Sequence, residues 1–120
     1  MEPRTVCIID DDEEIIDLVD LILAPQGYVV KGATNGRDGL ALVARERPAV
    51  VLLDVMMPDM DGWQVLEALR KAEATQEVPI VLLSGAKASN EVRLSGVDGV
   101  IVKPFGPTDL IEGLTRVLGA

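Results

Sequence analysis

Short runs of β-branched and apolar residues alternate along this chain with segments of helical period, and no other feature restricts its fold as strongly. The runs are residues 6–9, 29–31, 50–53, 80–83 and 99–102. Strands this short and apolar are buried on both faces, which requires helices above and below the sheet. After the first run, Ile15, Leu18, Val19 and Ile22 recur at i, i+3, i+4 and i+7, on a helix that Asp12 is placed to cap. Leu40, Leu42 and Val43 mark a second helix, and Val65, Leu66 and Leu69 a third, with Trp63 anchoring its start. A short fourth helix is expected over part of residues 90–95, and a fifth through Leu110, Ile111, Leu114, Val117 and Leu118 to a stop at Gly119. The pattern predicts an α/β fold of the doubly wound (βα)5 kind on a five-stranded parallel sheet. Pro25-Gln26-Gly27, Arg47-Pro48 and Val78-Pro79 punctuate short connections. No repeat, linker or low-complexity tract divides residues 1–120, which are expected to form a single domain.

Charge and residue usage narrow the chemistry. Twenty acidic residues against eleven basic give a net charge of −9. That balance disfavours direct binding of a phosphate backbone, so nucleic acid is not expected as a partner of this chain. The sequence contains no histidine, which excludes Ser-His-Asp and Cys-His catalysis and every His-ligated metal site. Cys7, the only cysteine, lies inside an apolar run; it cannot form an internal disulfide and reads as a buried structural thiol. No apolar stretch approaches the length of a membrane span, and Met1-Glu2-Pro3 has none of the features of a signal peptide. A cytoplasmic location and no membrane partner are therefore expected.

In a parallel sheet the carboxyl ends of the strands share one rim, where ligands of open α/β folds bind. The residues just past the predicted strands are Asp10 and Asp11, Asp54, Ser84 and Lys103. Each has an ordinary use on its own. Asp10-Asp11-Asp12-Glu13-Glu14 suits the positive end of a helix dipole, Ser84-Gly85 suits a turn, and Lys103-Pro104 suits a surface lysine before a rigid loop. Their joint placement on successive strand ends is harder to assign to accident. Carboxylates crowded at one rim repel by roughly 4 kcal/mol per pair at about 4 Å and an effective dielectric near 20, so cations must compensate. Lys103 supplies one charge, and a site of oxygen ligands with room for water suits Mg²⁺. With metal and lysine neutralising the transferring oxygens, a carboxylate can act as nucleophile toward a phosphoryl group.

Asp10-Asp11, Leu53-Asp54-Val55-Met56-Met57-Pro58-Asp59-Met60-Asp61-Gly62, Leu83-Ser84-Gly85-Ala86 and Val102-Lys103-Pro104-Phe105 together resemble the receiver domains of two-component response regulators, and the resemblance covers essentially the whole chain. It implies a flavodoxin-like strand order 2-1-3-4-5, Asp54 as phosphoacceptor, and Mg²⁺ held by Asp10, Asp11, Asp54 and the backbone carbonyl of Met56. Ser84 is then expected to bond a phosphoryl oxygen and Lys103 to pair with the phosphoryl charge, with the Lys103-Pro104 bond cis. The donor would be a phosphohistidine on a sensor histidine kinase or a histidine phosphotransfer protein, and the output a downstream protein target. The implied function is that of a phosphorelay acceptor, a signalling module and not an enzyme.

The chain departs from the family pattern in two places. Similar proteins carry an aromatic switch residue three positions before the lysine, where this chain has Val100; Tyr28, Trp63 and Phe105 are its only aromatics. Residues 85–102 are also about one helical turn shorter than the family spacing, which truncates the expected fourth helix or recasts it as a loop. Ser84 and Val100 are the expected switch residues, and the relay through them is expected to be altered. Met56 and Ala86 occupy the two positions that tune phosphoryl lifetime in similar proteins, and neither can orient an attacking water, so slow self-hydrolysis is expected. Met56, Met57 and Met60 otherwise read as loop packing. The alternative reading is an atypical receiver that binds partners whatever its phosphorylation state. An Asp-nucleophile phosphohydrolase would want a second acid where Met56 stands, and a flavin domain would want a phosphate loop after the first strand; the chain supplies neither.

Overall fold

The structure, a computed structural model, describes residues 4–57, 60–85 and 96–119. In chain order its elements are β1 (Arg4–Ile9), α1 (Glu13–Leu23), β2 (Tyr28–Ala33), α2 (Gly36–Glu46), β3 (Val50–Asp54), α3 (Gly62–Lys71), β4 (Ile80–Ser84), β5 (Gly99–Val102) and α4 (Pro107–Leu118). The short helix expected within residues 90–95 and Ala86 lie outside the described residues, as does most of the shortened segment 85–102. The five strands pair in parallel in the order β2-β1-β3-β4-β5, as the sequence implied.

Alternation along the strands divides the core in two, because successive side chains point to opposite faces of a sheet. Val6, Ile8, Val50, Leu52, Val81, Leu83 and Ile101 meet Val19, Ile22 and Leu23 of α1 and Leu110 and Leu114 of α4. Cys7, Ile9, Val51, Leu53, Ile80 and Leu82 meet Leu42 and Val43 of α2 and Val65, Leu66 and Leu69 of α3. Every residue of β3 and β4 is buried, which is why those runs are continuously apolar until they reach Asp54 and Ser84. Cys7 is fully buried, as expected. Burial first, and the charge of Glu46 second, push its thiol up to about 11.

Local chemistry sets the helix ends. Asp12 accepts a hydrogen bond from Glu14 N–H at 2.9 Å at the start of α1. Asn35 does the same for Asp38 N–H at 2.8 Å before α2. Asp61 and Gln64 form a reciprocal capping box on α3, at 2.9 and 3.0 Å. Gly119, at φ 73°, ends α4 in the left-handed conformation that glycine adopts without steric penalty. A 3-10 turn over Ala24–Gln26 leads into β2.

Two local readings change, and one tie is visible only in the folded chain. Asp54 and Ser84 are the last residues of their strands, not the first beyond them, because the ladder continues through the pairs Asp54↔Leu83 and Ser84↔Val102. Leu18 is exposed and Leu21 more so, at 73%; α1 turns Val19, Ile22 and Leu23 to the sheet, and its apolar stripe is wider than that contact. The α3–β4 connection and the approach to β5 are tied by Arg70, a role its sequence context did not signal. Its guanidinium donates to the carbonyls of Gln76, Val78 and Gly96 and to Asp98 Oδ2, at 3.0, 2.7, 3.0 and 3.2 Å. No helix among the described residues is long and apolar enough to cross a membrane.

Candidate functional site

The carboxyl ends of β1, β3, β4 and β5 bring the rim residues together. Asp10 follows β1 directly, its N–H donating to Ala33 O at 3.0 Å, and is fully buried. Its two carboxylate oxygens face different partners: Oδ1 accepts from Asp12 N–H at 2.9 Å and Oδ2 from Lys103 Nζ at 2.9 Å. Asp54, only 5% exposed, accepts from Met56 N–H at 3.1 Å through Oδ1, and Lys103 Nζ stands 3.6 Å from that same oxygen. Ser84 ends β4 at the same rim and is buried. Its carbonyl accepts Lys103 N–H at 2.6 Å, which fastens the base of the lysine to the sheet. The Lys103-Pro104 peptide is cis.

Asp10, Asp11 and Asp54 each offer a carboxylate oxygen, all within 4.8 Å of one another. Two of the three are buried and Asp11 is exposed, so the cluster opens to solvent on one side. Such a donor set fits Mg²⁺: it is hard, anionic, made of oxygen and short of a full octahedron, leaving positions for water and substrate. Burial raises the Asp54 carboxyl above its ordinary 3.8, and the charges of Asp10 and Asp11 push the same way against Met56 N–H and Lys103. Lys103 runs the other way. Burial alone would lower its ammonium, but the hydrogen bond and charge of Asp10, joined by the charge of Asp54, outweigh that and hold it above 10.5. Among the described residues, Lys103 is thus set against the two buried acids Asp10 and Asp54, an arrangement that strengthens ion pairing and favours a further cation.

The surrounding residues are less uniform than the sequence suggested. The methionines separate: Met57 is buried and Met60 packs against the core of α2 and α3, whereas Met56 is 78% exposed. The turn that carries Met56 N–H back to Asp54 Oδ1 leaves its side chain in solvent. Val100 pairs with Leu82 and packs, half-buried, on the α2 and α3 side of the sheet. Trp63 packs against that same core at the start of α3, while Tyr28 and Phe105 pack on the opposite face. Gly62 is the residue whose importance sequence reading passed over. The sequence shows it only as the last residue of the segment Leu53–Gly62, yet it lies against the backbone of Asp54 itself.

Comparison with known proteins follows the same lines. The family model described as response regulator receiver domain matches residues 6–115. The chain is 36% identical over 110 residues to the transcriptional regulatory protein HprR of Escherichia coli, covering 88% of this chain and 48% of that protein. It is 38% identical over 118 residues to the DNA-binding dual master transcriptional regulator RpaA of Synechocystis, covering 96% of this chain and 47% of that protein. The chain thus spans about half the length of the curated relatives it matches. Among solved structures, the chemotaxis response regulator CheY4 of Vibrio cholerae superposes with a TM-score of 0.91 at 34% identity, covering 97% of this chain and 99% of that one.

Proposed function

This chain belongs to the response regulator receiver domain family, and from that membership we propose that it is a phosphorylatable switch in which Asp54 takes a phosphoryl group from a phosphohistidine. Receiver domains are signalling modules of two-component systems, not enzymes in the usual sense, and they pair with sensor histidine kinases. The observation that carries the finer reading is the approach of three carboxylates within 4.8 Å of one another beside a lysine 3.6 Å from Asp54.

In the proposed reaction a carboxylate oxygen of Asp54 attacks phosphorus, a P–O bond forms, and the P–N bond to the donor imidazole breaks. Asp54 is suited to this role because burial makes its carboxylate more basic than one in water. Lys103 pairs with charge on the phosphoryl oxygens, and the Ser84 hydroxyl donates to one of them. Asp10, Asp11, Asp54 and the carbonyl of Met56 would hold Mg²⁺, which when bound supplies charge neutralisation to the transferring group. The donor is a sensor histidine kinase or a histidine phosphotransfer protein, and the recipient of the signal is a downstream protein. Residues 1–120 act as one receiver domain, in the cytoplasm, without contacting nucleic acid or membrane themselves.

Treatment with a small acyl phosphate and Mg²⁺, followed by intact mass, tests the acceptor. Wild type is expected to gain one phosphoryl group and Asp54→Asn none; equal uptake by both removes the assignment. The lifetime of the adduct is expected to be long for a receiver, because the exposed side chain of Met56 cannot orient water. Met56→Glu or Met56→Asn should shorten it several-fold, and an unchanged decay would contradict this role.

A second reading, an interaction module indifferent to phosphorylation, is favoured by one observation. Val100 fills its place on β5 without a ring that could swing inward. Partner binding by wild type, by its phosphorylated form and by Asp54→Asn separates the two: equal affinities identify a scaffold, and differing affinities identify a switch.

A further inference from the structure

The first residue of α3 lies against the backbone of the residue that bears the candidate acceptor carboxylate. Gly62 N–H donates to Val55 O at 3.1 Å. A methyl group built on Gly62 would stand 2.5 Å from Asp54 O and 2.5 Å from Val55 Cα. Four other glycines are nearly as crowded, but against side chains: Gly32 meets Ile16, Gly36 meets Met60 and Val65, Gly39 meets Ile9, and Gly113 meets Ile101. A side chain can rotate away. A peptide cannot yield without carrying its residue with it, and this peptide is locked into the sheet through the pair Asp54↔Leu83. Close backbone approach is one of the few tasks that only glycine performs.

We propose that Gly62 is a positioning residue for phosphoryl acceptance. Its missing side chain lets α3 seat on the Asp54–Val55 peptide, and that seat fixes the Asp54 carboxylate and the Met56 carbonyl relative to Asp10, Asp11 and Lys103. The Asp54 carboxylate meets Met56 N–H at 3.1 Å and Lys103 Nζ at 3.6 Å, so any displacement of its peptide changes both distances together. The capping box of Asp61 and Gln64 holds the first turn of α3 in place on the other side. This role rests on the reading of Asp54 as acceptor.

The test compares wild type, Gly62→Ala and Gly32→Ala by thermal unfolding, by Mg²⁺ titration calorimetry and by the rate of phosphoryl uptake from an acyl phosphate. Gly32→Ala is the steric control, since its methyl would meet the Ile16 side chain at 2.6 Å on the β2 edge. Gly62→Ala is expected to take up phosphoryl about 10- to 100-fold more slowly and to bind Mg²⁺ more weakly. Gly32→Ala, whatever stability it loses, is expected to keep wild-type values of both. Wild-type uptake and metal affinity in Gly62→Ala overturn the proposal. Should Gly62→Ala fail to fold, Gln64→Ala decides. It removes the acceptor of Asp61 N–H at 3.0 Å and loosens the start of α3 without adding an atom near Asp54. Several-fold slower uptake by the folded Gln64→Ala protein supports the proposal, and unchanged uptake overturns it. If wild type takes up no phosphoryl group, or Asp54→Asn takes up as much, the acceptor reading fails and this role with it. Uptake by wild type that Gly62→Ala matches removes the positioning role alone.

Discussion

Burial governs Asp54 before any phosphoryl group arrives. Its carboxyl titrates above the ordinary 3.8 in the native protein, because desolvation and the charges of Asp10 and Asp11 outweigh Met56 N–H and Lys103. A raised native pKa means that the folded state holds the proton more tightly than the unfolded state does. The resulting contribution to stability is fully present below 3.8 and is lost as pH rises through the native value. Ionised Asp54 is therefore a cost to the fold at neutral pH, and Asp54→Asn is expected to unfold at a higher temperature than wild type there. The gain should shrink as pH falls toward 3.8, which thermal unfolding across that range will measure. A gain that stayed constant with pH would show that the benefit comes from packing. Lys103 limits the penalty, since it contacts both Asp10 and Asp54.

At the level of elements, the site depends on how β3 hands over to α3. The strand delivers Asp54 at its last ladder pair, and α3 begins under a full capping box that opens at Asp61. The far end of α3 is fixed as firmly. Arg70 bridges the α3–β4 loop and the entry to β5 through four hydrogen bonds. Asp98 completes the bridge by accepting Ile80 N–H at 2.8 Å. Arg70→Ala leaves several carbonyls and Asp98 without that donor, and is expected to cost about 1–3 kcal/mol of stability, as read by chemical denaturation. Combined with Asp98→Ala the losses should fall short of the sum, because the two share one network. Strict additivity would mean that the pair is a surface contact of little weight.

For the molecule as a whole, the formal charge of −9 matters most at one rim, where the buried Asp10 and Asp54 face Lys103. A ligand that binds only the folded state stabilises it by mass action, by about 2.7 kcal/mol at one hundred times its dissociation constant. Mg²⁺ is thus expected to raise the unfolding temperature of wild type, and to raise that of Asp11→Asn much less at the same concentration. Asp11 is the test position because it is exposed, so its replacement leaves the core intact. An equal rise in both proteins would place the metal elsewhere.

The layers, the two-sided core and the rim can all be read from the order of residues along the chain. The continuous apolar runs at residues 50–53 and 80–83 and the helical spacing from Ile15 to Leu118 are properties of neighbours along the chain, and the chain alone displays them. The gathering of Asp10, Asp11, Asp54, Ser84 and Lys103 follows from the same pattern, because parallel strands leave only one shared carboxyl edge. Their distances, and the pull of each environment on Asp54 and Lys103, came only from tertiary structure, since desolvation and Coulomb interactions depend on every group nearby in space. The same holds for the exposure of Met56 and Leu18, the reach of Arg70 to Gly96, and the contact of Gly62 with the Asp54 backbone. The two contacts join residues whose spacing along the chain carries no periodic signal, and the two exposures depend on which part of a helix or loop the neighbouring elements cover, so packing sets all four.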